Sequence, residues 1–245
     1  MGINVHGFEL KQQVKIGGVD FTIIKVGTNW VEGITTECVG ARAFDSSNRN
    51  DFAASDIRAW LNGEFLHSLI DTGVPEGLFK QYEVNLITDD GTGFNDCVYL
   101  CQCQTKVGLI TCDEYREVRH NIPKVFESWW TATADSPQTP FVKYVNIDDH
   151  LRNGDISNKS RMNGVRPVCM FDTEVLREHI CCFDEIRVKM EELSKAITKS
   201  TAEMGTALDE LYRLLQKIHR DKDDCVVLYP LRGENKSCRK EQTCL

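Results

Sequence analysis

The sequence predicts an α+β domain followed by one long coiled-coil helix, and three observations carry that reading. Up to about residue 171, short runs of β-branched and aromatic residues are punctuated by Gly, Pro, Asn and Asp, with two short helical patterns among them. From Thr173 to Lys222 there is no Pro and a single Gly, and Glu, Lys, Leu and Ala dominate. Within that stretch apolar residues keep a heptad spacing. The expected organisation is a domain over residues 1–171, a coiled-coil helix over 172–222 and a polar, Cys-containing tail over 223–245.

In the first part, VKIGGVDFTIIKV from Val14 to Val26 reads as a hairpin turned by Gly17-Gly18, and strand character continues from Gly33 to Phe44. Ser55 stands where an N-cap belongs. Ile57, Trp60, Leu61 and Phe65 recur at helical spacing after it, so a core helix is expected from Asp56 to Leu69, with Trp60, Asn62 and Phe65 as structural residues. YEVNLI and CVYLCQC read as strands around the turn DDGTGFND. Thr111 and Glu114 have capping-box spacing and start a short helix, Cys112 to His120. FVKYVNI alternates as a strand, DDHLRNGD reads as a turn, and GVRPVCMF reads as the closing strand.

With Phe183 at heptad position a, the later a residues are Met190, Ile197, Met204, Leu211 and Ile218. Ile186, Leu193, Ser200, Ala207 and Leu214 then fall at d, a register that lasts about five heptads. A helix of about 48 residues would extend roughly 70 Å, and its apolar seam needs a partner. The expectation is a parallel homo-oligomer, with a helical hairpin bent near Gly205 as the alternative.

A net charge of -8 argues against a nucleic-acid partner, because such proteins concentrate Lys and Arg against phosphates. It also disfavours an anionic membrane surface, and no apolar run reaches the roughly 20 residues a spanning helix needs. Met1 to Lys15 lacks the charged and apolar regions of a secretory signal, so cytoplasmic synthesis without a signal peptide is expected. Eleven cysteines, with Cys181 and Cys182 adjacent on a helix, suit reduced thiols better than a disulfide framework.

Cys97, Cys101 and Cys103 share a strand face near Cys112, but without CxxC turns they read as small buried apolar groups, and no metal or cofactor is expected. The six histidines form no HxxxH unit and there is no Gly-rich phosphate loop, so no catalytic residue is assigned. Two readings stay open for Trp129 and Trp130. Either both are core, or one floors a shallow ligand site between the loops at 135–140 and 148–155, with Thr131, Asp148, Asp149 and Asn153 as further ligand contacts. Arg166 is expected to be a buried structural arginine paired with a carboxylate such as Asp56.

Four blocks, SDIRAWLNGEFL (Ser55 to Leu66), DCVYL (Asp96 to Leu100), Trp129-Trp130 and GVRPV (Gly164 to Val168), resemble a family of bacterial and phage domains of unknown function, number 6273. The likeness covers nearly all of residues 1–171. That family looks like a version of the C-type-lectin fold, similar to formylglycine-generating enzymes and to variable phage receptor-binding proteins. The resemblance implies a small mixed sheet with short helices, in which a first strand near Phe21 to Val26 pairs with a closing strand at Val165 to Phe171. Where family members carry Leu-Arg-Ser after the tryptophan pair, this chain has Thr131-Ala132-Thr133. The function expected is a non-catalytic module that binds a protein or carbohydrate, displayed in several copies on a phage particle or bacterial surface. An oxidoreductase of the formylglycine-generating type, for whose cysteine pair Cys169 has no partner at a matching spacing, and a purely structural virion protein are the alternatives.

Overall fold

Gly17 and Gly18, both at positive φ (59° and 82°), turn the chain between β1 (Gln13–Ile16) and β2 (Val19–Val26). Two positive-φ residues in succession are the turn whose twist matches a hairpin. The computed structural model describes residues 7–93, 102–158 and 162–224, without the side chains of 182–185, 187 and 218–224. The block DCVYL, Cys97, Cys101, the tail from 225, and the side chains of Phe183 and Ile218 lie outside the described residues.

The chain continues through β3 (Trp30–Thr35) and β4 (Ala41–Arg42) to a helical run. That run is α1 (Asp56–Trp60), a wide π turn (Leu61–Phe65) and α2 (Leu66–Asp71). Ser55 caps it, its Oγ accepting from the Arg58 N–H at 3.3 Å. Ile57, Leu61 and Phe65 are buried, whereas Trp60 is half-buried and carries the Arg42 guanidinium 4.0 Å from its ring centroid. Asn62, inside the π turn, donates to the Val107 carbonyl and accepts from the Lys106 and Val107 N–H groups, so it pins the backbone of those two residues to the helical run.

Short strands β5 (Phe79–Lys80), β6 (Tyr82–Asn85), β7 (Gln102–Thr105) and β8 (Val107–Gly108) follow, then α3 (Cys112–Val118), which the Thr111–Glu114 capping box opens as its spacing predicts. The remaining elements are β9 (Trp129–Ala134), β10 (Phe141–Val145), β11 (Leu151–Asp155), β12 (Asn163–Gly164), β13 (Val168–Asp172) and α4 (Thr173–Asp224). The fold is therefore mixed α+β, with several sheets and a long C-terminal helix.

Among the described residues one sheet runs β1-β2-β3-β13-β5 with β8 also on β13, a second runs β11-β10-β9-β12-β4, and β6 pairs with β7. Two sequence expectations change here. The closing strand pairs with β3, Phe171 opposite Val31, and not with the strand at Phe21 to Val26, which lies one place further out. Phe21 still meets Phe171 edge to face at 5.2 Å, because side chains on one face of a sheet reach across neighbouring strands. LRNGD, read as a turn, is strand β11, since pairing with β10 over five residues outweighs the local turn chemistry of Asn153-Gly154. Gly154 is needed there because the Trp130 ring would stand 2.6 Å from an added Cβ.

The chain divides into two compact units, Met1–Phe183 and Asp184–Leu245. In the first, the core is continuous through Phe21, Ile23, Val31, Leu61, Trp130 and Phe171. In the second, the seam residues Ile186, Met190, Leu193, Ile197, Met204, Leu211 and Leu214 each expose more than half of their surface. Among the described residues no helix is long and apolar enough to cross a membrane.

A bulge in β2 between Ile23 and Lys25 buries both Ile23 and Ile24 and sets Lys25 opposite Glu32. Burial pushes the Glu32 carboxyl up to about 7, although the Lys25 ammonium lies 3.4 Å away. One carboxylate oxygen of Glu32 is buried without a hydrogen-bond partner. A carboxyl whose pKa is raised by folding contributes stability that is full below its unfolded value and is lost as pH climbs through its folded value. Stability should thus fall by on the order of 2–3 kcal/mol between pH 5 and 8 on account of this residue. Glu32→Gln is expected to remove that slope and to raise the melting temperature at pH 8. Thermal melts at pH 5.5 and 8 check it; a pH dependence equal in the two proteins would contradict it.

Candidate functional site

A bulge also shapes β9. Ala134 is opposite Val142 and Trp130 opposite Tyr144, so the β9 backbone between them is longer than its partner and leaves polar groups to be met by side chains. Threonine supplies them. Thr131 Oγ1 donates to the Lys143 carbonyl at 2.8 Å, and Thr133 Oγ1 accepts from the Cys112 N–H at 2.9 Å. Thr131 is fully buried, so its place is in the core rather than in ligand contact.

Trp129 and Trp130 are both buried, but they serve opposite faces. Trp130 packs edge to face against Phe44 and Tyr144, with its indole N–H donating to the Arg42 carbonyl at 2.8 Å. Trp129 meets Tyr115 edge to face at 5.8 Å and carries the Arg166 guanidinium 5.0 Å from its ring centroid. Those three side chains form the floor of a cavity of about 350 Å³.

The rim of this cavity comes from two segments. One is the short 3-10 turn Arg119–Asn121 that follows α3, bringing Arg119 and His120. The other is the β10–β11 turn, bringing Asp148, Asp149 and His150. The latter turn is held from within: the Asn146 side chain accepts from the N–H groups of Asp148 and His150, and Asp149 sits at φ 61°, a left-handed conformation Asp tolerates. The Tyr115 hydroxyl donates to the Asp149 carbonyl at 3.0 Å and Lys124 lies 3.4 Å from the Asp149 carboxylate, which ties the two rim segments together.

Arg166 is buried as expected, but its partners are not carboxylates. Asp56 instead accepts from the Ser46 N–H and lies by Arg49. Arg166 donates through Nε and Nη2 to the Thr35 carbonyl, through Nη2 to that of Thr36 and through Nη1 to that of Pro123, tying three loops together. Burial pulls its pKa down to about 10, so the guanidinium remains charged at neutral pH.

Of the expected ligand residues, Trp129, Asp148 and Asp149 meet at this cavity. Trp130 and Thr131 belong to the core, and Asn153 is exposed on β11, donating to the Asp135 carboxylate at 2.9 Å. Tyr115, Arg119, His120 and His150 were not anticipated. The one sequence signal for them is that Tyr115 and Arg119 stand one helical turn apart, with Arg116 and Lys124 close by in the chain.

Two other depressions are less organised. A wider one of about 520 Å³ lies at Arg42, Trp60 and Met162 and borders residues outside those described. A small one beside Cys112 is closed by ion pairs of Asp89 with Arg116 and Lys143 at 2.7 and 2.8 Å. Cys103 and Cys112 are buried free thiols, and burial pushes the Cys169 thiol up, away from the reactive thiolate. Among the described residues no group of three or more His, Cys, Asp or Glu is placed to hold a metal ion. No family model, no curated protein and no solved structure matches the chain.

Proposed function

We propose that the protein is a non-catalytic binding module, displayed in several copies by a parallel coiled coil on a phage particle or bacterial surface. The observation that carries this reading is the cavity on Trp129, where buried aromatic and basic groups form the floor and charged side chains from two tied loops form the rim. Concave sites with a few converging polar groups on a rigid scaffold are where small ligands and the tips of larger ones bind. The likeness to family number 6273 and to a lectin-like scaffold belongs to the same proposal. It is supported by the mixed architecture and by the closing strand β13 lying in the sheet of the early strands.

The seam of α4 supports display. A continuous apolar stripe from Ile186 to Leu214 in water is costly, and a heptad stripe is covered by like helices. Glycan and protein arrays probed at equal domain concentration with the full chain and with Leu193→Asp/Ile197→Asp test the reading. The full chain should be retained on a discrete set of spots and the double variant should lose retention by about a hundredfold or more. Failure of the full chain to be retained on any spot would overturn it.

A further inference from the structure

The charge of Arg166 is incompletely answered. Its guanidinium has five N–H groups. Four bonds go to the carbonyls of Thr35, Thr36 and Pro123, which leaves one N–H on Nη1. The side chain is 1% exposed, and among the described residues no carboxylate forms an ion pair with it. Glu37 and Asp149 act on it only from beyond ion-pair distance, so the buried charge has no direct counter-ion, and it lines a cavity.

The rim repeats the pattern in an ordered way. Arg119 and His120 stand on one segment, Asp148 and Asp149 on the other. Asp149 is occupied by Lys124, and Asp148 is exposed and has no ion pair among the described residues. The cavity is therefore bipolar, positive at the floor and on one side, with a free acceptor on the other. A dianion such as phosphate would meet the two carboxylates unfavourably, whereas a single carboxylate can accept from the remaining Arg166 N–H and from Arg119 and leaves Asp148 for hydroxyl or ammonium donors.

We propose that this cavity takes a small carboxylate-bearing ligand, its carboxylate on Arg166 and Arg119 and its hydrogen-bond donors on Asp148. The class includes uronic-type sugars and α-amino acids, which present a carboxylate and donors a few ångströms apart. The assignment rests on the binding-module reading and names what that module recognises.

The test uses the full chain titrated with glucuronate, glucose and glycine, followed by calorimetry and by the guanidinium resonances of Arg166 in NMR spectra. Glucuronate or glycine should bind and shift Arg166, and glucose should do neither. Which of the two binds more tightly identifies the source as sugar or amino acid. Arg119→Gln should weaken that binding by about tenfold or more, the effect of one charge-assisted hydrogen bond, without changing the melting temperature. Glucose binding as tightly as glucuronate, or carboxylate binding untouched by Arg119→Gln, would overturn the assignment while leaving multivalent retention on the arrays intact. No response of Arg166 to any of the three ligands would also overturn it.

Discussion

Trp130→Ala is expected to cost about 3–5 kcal/mol, because it removes a fully buried ring from between Phe44, Tyr144 and Gly154 and leaves a cavity that β9 and β11 cannot collapse into. In a domain of this size that corresponds to a fall of about 10 °C in melting temperature. Trp130→Phe keeps most of the volume but leaves the Arg42 carbonyl without its indole donor, and should cost about half as much. Circular dichroism melts of the three proteins measure both. A Trp130→Ala protein melting within about 2 °C of the parent would contradict the placement of Trp130 at the centre of the second sheet.

Under the proposed association of α4, the double substitution Leu193→Asp/Ile197→Asp is expected to give monomers while the first unit keeps its melting temperature. Leu193 and Ile197 stand at adjacent d and a positions and expose 61% and 60% of their surface in a single chain. Two carboxylates per helix placed in a dry seam cost several kcal/mol each unless the seam opens. Sedimentation at several concentrations reads the outcome. An unchanged sedimentation coefficient would mean that this face is not the one that associates.

What was legible in the sequence was what local chemistry determines. Ser55, the Thr111–Glu114 box and Gly17-Gly18 each act through groups two to four residues away, and the structure uses all of them as their spacing suggests. What was not legible depended on distant partners. LRNGD looks like a turn until β10 lies beside it, and the strand that β13 joins is settled by packing of Phe171 on β3, not by any local signal. Arg166 was recognisable as buried from its apolar neighbours, yet the carbonyls that hold it come from residues 35, 36 and 123. The site followed the same division. Trp129, Asp148 and Asp149 stood out by type, whereas Tyr115 and Arg119 resemble any amphipathic helix end and become site residues only where α3 meets the β10–β11 turn.

The association of α4 carries the display account, and the mass of the unmodified full chain in solution tests it most directly. Light scattering across a range of concentrations should give two or three times the 27.9 kDa of one chain. A mass of 27.9 kDa that holds at high concentration would contradict the account.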